Sequence, residues 1–325
     1  FQWNMRAIDA DDAWESGRTG SPDISVAILD TGIDYLYPDL WGRVDLSRSE
    51  SFVPVDDQAV LNEFPSRHRI TDLHYNGTHV AATVASNAYI LAAVTTETTL
   101  IGVKVCSYQG GCSFGAVIAG ILHAADVGAD VANMSLGGGF TKAGNGIYVG
   151  FINSVFNYAR SKGMLVVVSA GNDTIDLDHD GNSYKTYCST PSTVCVSATG
   201  PAAAEDLYVG PWYETDSLAV YSNYGRSAIN VAAPGGNSGG YVWAGCSTSS
   251  LVATFCQTGY YIIGLGGTSM AAPHVSGVAA LIAEDVGRNP GRIKTKLQQT
   301  ADDLGQRGTD PAYGKGRVNA YNAVS

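Results

Sequence analysis

The stretch ISVAILDTG, residues 24–32, decides the fold class of this 325-residue chain. Its apolar residues follow one another almost without interruption, which is typical of a strand covered on both faces in a parallel sheet. Five further runs have the same character, at residues 100–105, 130–136, 164–170, 193–199 and 228–234. The sequence therefore predicts a buried, mostly parallel sheet.

Helical patterns separate several of these runs, at residues 113–128, 148–163 and 269–287. The first and third have Ser near the start and all three have Gly near the end, as expected of capped helices. Alternating strands and helices predict an α/β fold of three layers, with a mostly parallel central sheet and helices on both faces. Ligands of such sheets bind beyond the carboxyl ends of the strands, where this sequence places Asp30, Ser135 and Asn172.

Composition excludes several classes of partner. A net charge of −11 without Lys or Arg clusters argues against nucleic acid and against an anionic membrane surface. No apolar run approaches the roughly 20 residues that cross a bilayer. The opening FQWNMRAIDADDAW has neither the basic region nor the apolar core of a signal peptide, so we expect a mature form that has been cut from a longer chain.

The chain is expected to form one domain over residues 1–325 and to be a monomer. No repeat, low-complexity tract or proline-rich linker divides it. The glycine-dense stretch Gly235–Gly240 is interpreted as a surface loop rather than as a joint between domains.

The six cysteines fall into three close pairs in the sequence: Cys106 and Cys112, Cys188 and Cys195, Cys246 and Cys256. None has a zinc-binding spacing, so local disulfides in an oxidising compartment fit best. Six buried free thiols of a cytosolic protein are the alternative, because six cysteines permit fifteen pairings.

Ser269 stands between a glycine-rich turn and an apolar helix, and a serine hydroxyl is a weak nucleophile unless a base accepts its proton. His79 is the preferred base. His274 lies on the serine's own helix, cannot swing its ring to the hydroxyl and is predicted to be a packed helix residue. Asp30, at a strand end, is the candidate acid that orients the base. Alone, Asp30 and Asn172 have an ordinary explanation as turn residues.

Taken together, four segments resemble the motifs of the subtilisin-like serine peptidases, the subtilase family. They are AILDTGID from Ala27, NGTHVAATVAS from Asn76, VVVSAGND from Val166 and GTSMAAPHVSG from Gly267. Further similarity in NMSLGGG and GKGRVNAYNAV extends the resemblance over nearly the whole chain.

The resemblance implies a secreted serine endopeptidase with an Asp-His-Ser triad. By the motif match Asp30 orients His79, and His79 takes the proton from Ser269 and later delivers it to the leaving amine. Asn172 and the backbone N–H of Ser269 are implied to stabilise the oxyanion, and the start of a helix supplies free N–H groups for that purpose.

The resemblance also implies a groove in which an extended peptide adds a strand to two backbone edges. The matching residues are Gly110, Gly111 and Cys112 on one edge, Ser135, Leu136, Gly137 and Gly138 on the other, and Ser169, Ala170 and Gly171 at the first subsite. Small residues favour a roomy pocket for large apolar side chains. The acidic stretch after Asn172 would instead favour basic ones, so the preference stays open.

Two calcium sites are considered, both structural. Asp176, Asp178 and Asp180 repeat the first half of an EF-hand loop, and clustered carboxylates repel one another without a cation. Tyr187 stands where that loop requires its last ligand, Glu, and a solvated acidic loop is the alternative. The resemblance implies a second site near the amino terminus, matched by Gln2 and Asp39.

Two positions depart from the family. The histidine motif usually begins with a second histidine, which is Asn76 here, and Ala82 replaces a usual glycine. We expect neither change to touch a proton path that runs through His79. The segment before the serine motif is longer than usual, and the pair Cys246 and Cys256 is expected to brace it.

The predicted partners are protein or peptide substrates and the chain's own propeptide. A catalytically silent subtilase-fold module that binds peptides or proteins is the alternative, disfavoured because all four catalytic candidates are present. An esterase or lipase is disfavoured because the sequence around Ser269 lacks the final glycine of G-x-S-x-G.

Overall fold

The computed structural model describes residues 2–184 and 187–325. Its strands are β1 (Ser25–Asp30), β2 (Glu50–Ser51), β3 (Thr99–Lys104), β4 (Val131–Met134), β5 (Phe140–Thr141), β6 (Leu165–Ser169), β7 (Ser183–Tyr184), β8 (Thr193–Thr199), β9 (Ala203–Ala204), β10 (Trp212–Tyr213), β11 (Val231–Pro234), β12 (Val242–Gly245) and β13 (Ile262–Leu265). Its helices are α1 (Trp3–Ala7), α2 (Ala10–Glu15), α3 (Pro54–Glu63), α4 (Asn76–Val84), α5 (Phe114–Asp126), α6 (Gly146–Ser161), α7 (Thr268–Val286), α8 (Pro290–Gln299) and α9 (Ala320–Val324).

Seven strands form one parallel sheet in the order β11-β8-β6-β4-β1-β3-β2. Strand β1 lies between β3 and β4, and every one of its residues is buried. Burial on both faces explains why its sequence is continuously apolar rather than alternating. The predicted central parallel sheet is confirmed.

Helices cover both faces of this sheet. Helix α7 packs across β4, β6, β8 and β11, with α4 beside it, and this face holds the larger apolar core. Helices α5 and α6 cover the opposite face over β1, β3 and β6, with a second core. The predicted three-layer α/β architecture is therefore confirmed. Most of α7 is buried around its whole circumference, in agreement with its nearly unbroken apolar sequence.

All three predicted disulfides are present, Cys106–Cys112, Cys188–Cys195 and Cys246–Cys256. Each one closes a short loop next to a strand: the first and third loops follow β3 and β12, and the second precedes β8, which contains Cys195. The last of them lies in the long segment that connects β12 to β13, which form an antiparallel hairpin ahead of α7.

The stretch Gly235–Gly240 is a packed turn, so the expected surface loop is wrong. Asn237 N donates to Gly240 O at 2.9 Å, and Gly239 N donates to Pro201 O at 2.9 Å. A Cβ at Gly239 would lie 2.5 Å from the backbone nitrogen of Ala203. Glycine is required there because two backbone segments approach closely, and not because the chain needs a flexible surface.

Candidate active site

The carboxyl edge of the sheet and the start of α7 carry the predicted catalytic residues. Asp30 is the last residue of β1, Asn172 follows β6 by three residues, and Ser269 is the second residue of α7. Ser135 directly follows β4, which lies between β1 and β6 in the sheet. The carboxyl ends of these neighbouring strands meet at one edge, where ligands of parallel sheets bind.

Asp30 is a buried carboxyl group whose proton affinity is strongly altered. Its side chain is 2% exposed, and Thr31 N donates to Oδ1 at 2.7 Å. Burial raises the pKa of Asp30 to about 8, the hydrogen bond from Thr31 opposes that rise, and the Asp72 carboxylate adds to it.

Asn76, the first residue of α4, is the side chain that lies against the carboxyl group of Asp30. The hydrogen-bond network orients its amide with the nitrogen towards Asp30, 3.1 Å from Oδ2 and 3.0 Å from Oδ1. In a serine triad this contact belongs to the ring N–H of the histidine base. Asn76 therefore occupies the base position.

The start of α4 is fixed to the end of β1 by short contacts. Gly77 N donates to Thr31 Oγ1 at 3.0 Å, and a Cβ at Gly77 would lie 2.0 Å from Gly32 O. The buried carboxylate of Asp72 joins both segments, since it accepts hydrogen bonds from Thr31 Oγ1 at 2.9 Å and from Thr78 N at 2.9 Å. This close fit leaves position 76, and not position 79, beside Asp30.

The prediction that His79 is the base is wrong. Its Nε2 lies 3.0 Å from Val242 O and must donate to that carbonyl, while the buried Nδ1 has no partner within the described residues. Residue 79 lies about 4.5 Å further along the helix axis than residue 76, at 1.5 Å per residue, and its ring packs against the β12–β13 hairpin. Burial lowers the pKa of His79 to about 4, so the ring is neutral at physiological pH. The expectation that Asn76 leaves the proton path untouched is wrong for the same reason.

Ser269 is bound to the strand edge rather than to an imidazole. Its Oγ donates to Ser135 O at 3.1 Å, and Ser135 Oγ donates to Ser269 O at 2.7 Å. The other candidate base, His274, has Nδ1 2.8 Å from Met270 O and Nε2 2.9 Å from Asn4 Nδ2. His274 is thus the packed helix residue that the sequence predicted.

Asn172 is held in an orientation that leaves its amide nitrogen available. Its Oδ1 accepts hydrogen bonds from Thr268 N at 2.9 Å and from Thr268 Oγ1 at 2.8 Å. Thr268 Oγ1 also accepts from Gly171 N at 3.0 Å, so the turn after β6 is joined to the first residue of α7. The Asn172 Nδ2 and the backbone N–H of Ser269, in the first turn of α7, are the kind of donors that an oxyanion requires.

The two predicted peptide edges border one apolar cavity of about 370 Å³. Cys112 lies on one side, and Gly137 and Gly138 lie on the other. Large apolar residues complete the wall, among them Phe114, Val117, Phe140, Tyr148, Ile152, Tyr184 and Tyr187. The structure does not place Gly110, Gly111, Ser135, Leu136 or the first-subsite residues Ser169, Ala170 and Gly171 in this cavity. A single large side chain of a bound peptide would fit its size and polarity.

The three aspartates of the acidic loop do not converge on a common point. Asp178 accepts hydrogen bonds from Ser227 N at 3.1 Å, and Asp180 pairs with Lys142 at 2.8 Å. Asp176 Oδ2 lies 2.7 Å from His179 Nδ1. Each carboxylate thus has its own hydrogen-bond or ion-pair partner, and the three side chains do not form the ligand cluster that an EF-hand-like calcium site requires.

Gln2 and Asp39 also lack the arrangement that calcium needs. Asp39 accepts from Ile90 N at 2.6 Å and from Leu91 N at 3.2 Å, and Gln2 Oε1 accepts from Ala92 N at 3.0 Å. These side-chain oxygens accept hydrogen bonds from backbone N–H groups, so a calcium ion would have to compete with those hydrogen bonds. Within residues 2–184 and 187–325 no cluster of three His, Cys, Asp or Glu side chains could hold a metal.

Sequence reasoning missed two residues of the candidate site, Asn76 and Asp72. The signal for Asn76 was present, because it stands where a second histidine is usual and directly before the close-packed Gly77. No motif pointed to Asp72, whose importance depends on hydrogen bonds between two segments distant in sequence.

A sequence profile of the subtilase family, Peptidase_S8, matches residues 21–316. The chain is 33% identical over 328 residues to "Thermophilic serine proteinase" of Bacillus sp. (strain AK1), covering 100% of this chain and 67% of that protein. It is 32% identical over 323 residues to "Thermitase" of Thermoactinomyces vulgaris, covering 99% and 95%. "Subtilisin Savinase" of Lederbergia lenta is 31% identical over 329 residues, covering 99% and 98%.

Solved structures agree with these relatives. "Crystal Structure of a Lanthipeptide Protease" has a TM-score of 0.77 at 25% identity and covers 100% of this chain and 93% of that one. A protease from Pseudoalteromonas arctica PAMC 21717 has a TM-score of 0.74 at 26% identity, covering 99% and 96%.

Proposed function

Because the chain belongs to the subtilase family of serine peptidases, we propose that it binds extended polypeptides and cleaves them at Ser269 with a turnover far below that of a complete Asp-His-Ser triad. Family membership confirms the predicted enzyme class, a serine endopeptidase. The observation that carries the reduced turnover is the Asn76 amide beside Asp30, where the base belongs.

The nucleophile and the oxyanion donors support peptide-bond cleavage. Ser269 Oγ would attack the scissile carbonyl, and the Asn172 amide with the Ser269 N–H would stabilise the resulting oxyanion. Formation of the acyl-enzyme requires the hydroxyl to lose its proton and the leaving amine to gain one. A carboxamide such as that of Asn76 cannot accept a proton near neutral pH, so both transfers fall to water.

The size of the expected loss in turnover can be estimated from the separate contributions of the base, the oxyanion hole and substrate binding in such sites. In subtilisin itself, a member of the family, loss of the triad histidine costs on the order of a million-fold in kcat. Binding and the oxyanion hole still accelerate the reaction about 10³- to 10⁴-fold over water. We therefore expect slow cleavage that depends on Ser269, and not the complete loss of the reaction.

Peptide binding is proposed to use the two backbone edges that border the apolar cavity. The Gly110–Cys112 edge and the Ser135–Gly138 edge would pair with an extended main chain. A large apolar side chain of that peptide would enter the cavity between Cys112 and Gly137. Ser169 to Gly171 would border the first subsite. None of the aspartates of the acidic stretch lines this cavity, so we propose a preference for apolar side chains.

The second candidate function is the catalytically silent peptide-binding module. Asn76 at the base position and the burial of His79 against Val242 both favour it. The two candidate functions use the same binding site, and they differ only in whether Ser269 cleaves the bound peptide.

A secreted, monomeric protein of one domain over residues 1–325 is proposed. The three disulfides support an oxidising compartment. No helix in the described ranges is long and apolar enough to cross a membrane. The net charge of −11 opposes binding to nucleic acid.

The proposed partner during maturation is the chain's own propeptide. An apolar patch formed by Phe114, Ile147, Tyr148 and Phe151 lies at the starts of α5 and α6, next to the cavity. Ile147 is 89% exposed, and contiguous exposed apolar groups of this kind mark interaction sites. Inhibition by the propeptide, added as a separate chain, should weaken in Ile147→Ser.

A cleavage assay on a peptide library tests the proposed function. The wild-type chain and Ser269→Ala are incubated over days, and products are identified by mass spectrometry. Slow cleavage by the wild type that is absent in Ser269→Ala supports the peptidase. Peptide binding by both proteins without products from either favours the silent module, and neither binding nor cleavage contradicts the proposed function.

A further inference from the structure

We propose that the Cys106–Cys112 disulfide determines how strongly the site binds the peptide side chain that enters the apolar cavity. This inference rests on the proposed binding of extended peptides. The bond closes the loop that carries the Gly110–Cys112 edge, and it joins the cavity wall covalently to the end of β3.

One end of the loop is fixed to the strand that ends in the active site. Val105 N and Cys106 N both donate to Asp30 O, at 2.9 and 3.2 Å. Cys106 is 3% exposed and belongs to the core under α5. The position of Cys106 is thus set by the same backbone that positions Asp30.

The other end of the loop forms the cavity wall, where Cys112 pairs with Cys106 in an antiparallel bridge and directly precedes Ser113, the cap of α5. Gly110 has a φ of +85°, and a Cβ placed there would have no atom within 4 Å, so the tip of the loop projects into open space. Inside the loop Ser107 N donates to Gly111 O at 2.8 Å. Outside it, Tyr108 N donates to Asp56 Oδ2 at 3.1 Å. The disulfide is the covalent tie between Cys112 and the sheet, with Cα atoms 4.0 Å apart.

Without this bond, the peptide itself would have to supply part of the order of residues 107–111. Fixing the backbone of one residue costs roughly 1–2 kcal/mol. The remaining hydrogen bonds retain part of the order, so we expect a loss of affinity of about tenfold, the equivalent of about 1.4 kcal/mol. A peptide without a large side chain at the cavity should lose less affinity when the disulfide is removed, because it makes fewer contacts with the cavity wall.

The Cys106–Cys112 bond is also the one that a reductant reaches most readily. Cys112 is partly exposed, whereas the sulfurs of the other two disulfides belong to residues that are 0–8% exposed. A dithiol would attack Sγ of Cys112, release Cys106 as a thiolate that takes up a proton, and close its own disulfide on the mixed intermediate. Two electrons pass from the dithiol to the protein, and two cysteine thiols result.

The test measures peptide affinity by fluorescence anisotropy in the Ser269→Ala background, so that no cleavage interferes. A set of labelled, alanine-rich peptides carries a single Phe at a different position in each peptide. The position at which Phe increases the affinity most over Ala identifies the side chain that enters the cavity. The Cys106→Ser/Cys112→Ser variant should bind that Phe peptide about tenfold more weakly than the oxidised protein, with a smaller change for the Ala peptide.

Dithiothreitol supplies the matched control, because it does not depend on folding of the variant. It should weaken binding to the disulfide-bonded protein to the same extent and leave the double variant unchanged. Equal Phe affinity with and without the bond overturns the inference, and so does a loss that dithiothreitol also produces in the double variant. If no peptide binds the oxidised protein, the proposed function itself fails.

Discussion

The starts of α4 and α7 face the same edge of the sheet but carry different parts of the chemistry. At α7, Ser269, Thr268 and Asn172 form a connected set in which the nucleophile and the oxyanion donors are all held in place. At α4, the carboxyl group of Asp30 meets the amide of Asn76, and the only histidine of that helix is turned into the core. The comparison shows that oxyanion stabilisation at α7 and proton transfer at α4 are separable. A complete serine motif at α7 does not ensure that α4 supplies a base.

The largest effect should come from completing the α4 half. Asn76→His places an imidazole beside Asp30, which would orient it, and should raise kcat/KM for a peptide substrate by on the order of 10²- to 10⁴-fold. Steady-state hydrolysis of a fluorogenic peptide measures the gain. Asn76→Gln is the matched control, because it keeps an amide and should bring no increase. Equal rates for Asn76→His and the wild type would contradict the assignment of the base position.

The oxyanion donors at the start of α7 are tested next. The variants are made in the Asn76→His background, where turnover is measurable. Asn172→Ala should lower kcat by on the order of 100- to 1,000-fold, the range known for loss of this type of donor in subtilisin. KM should change little, because the donor acts on the oxyanion. Thr268→Ser keeps the hydroxyl that orients Asn172 and should stay close to the parent. A comparable drop in both variants would point to general disruption of the turn.

A smaller effect concerns the cost of burying Asp30 without a cationic partner. Its pKa of about 8 in the folded state lies above the unfolded value of 3.8, so the folded chain holds a proton that the unfolded chain has released. The contribution of Asp30 to stability therefore falls as the pH rises from about 4 to 8.

Asp30→Asn removes this dependence, and its melting temperature should exceed that of the wild type at pH 8. Calorimetry at several pH values measures the difference, which should shrink towards pH 4. A variant less stable than the wild type at pH 8 would show that hydrogen bonds from Thr31 and Asn76 outweigh the cost of burial.

The smallest effect is expected from a chelator. A calcium ion at a free concentration 100-fold above its Kd would stabilise the chain by about 2.7 kcal/mol, which is several degrees in melting temperature. Because the carboxylates at Asp176, Asp178, Asp180 and Asp39 are committed to other partners, EDTA should leave the melting temperature unchanged. A drop in melting temperature that added calcium reverses would support the metal site predicted from the sequence.

Much of the fold could be predicted because its signals are local. The six apolar runs and the three major helices are periodic or continuous patterns, and α5 and α7 begin within a residue of their predicted starts. Helix α8 and the β12–β13 hairpin were not predicted, since α8 is polar and the hairpin contains an exposed insertion.

The error at the site has a different cause. The sequence contains one histidine in the α4 motif, and chemistry requires one, so His79 appeared to be the base. Which face of α4 meets Asp30 is decided by the approach of Gly77 to Gly32 and by hydrogen bonds to Asp72, which join segments more than 40 residues apart. The rotation of α4 about its own axis decides whether residue 76 or residue 79 faces Asp30, and a sequence pattern does not contain this information.

The most direct test of the central claim is the pH dependence of Ser269 acylation in the wild-type chain. A fluorophosphonate or an activated ester serves as the probe, and the rate is followed by mass spectrometry between pH 5 and 9. Without a resident imidazole, the rate should rise with hydroxide concentration and show no inflection near pH 7, and His79→Gln should follow the same profile. A sigmoidal profile with an apparent pKa near 7 that disappears in His79→Gln would contradict the account.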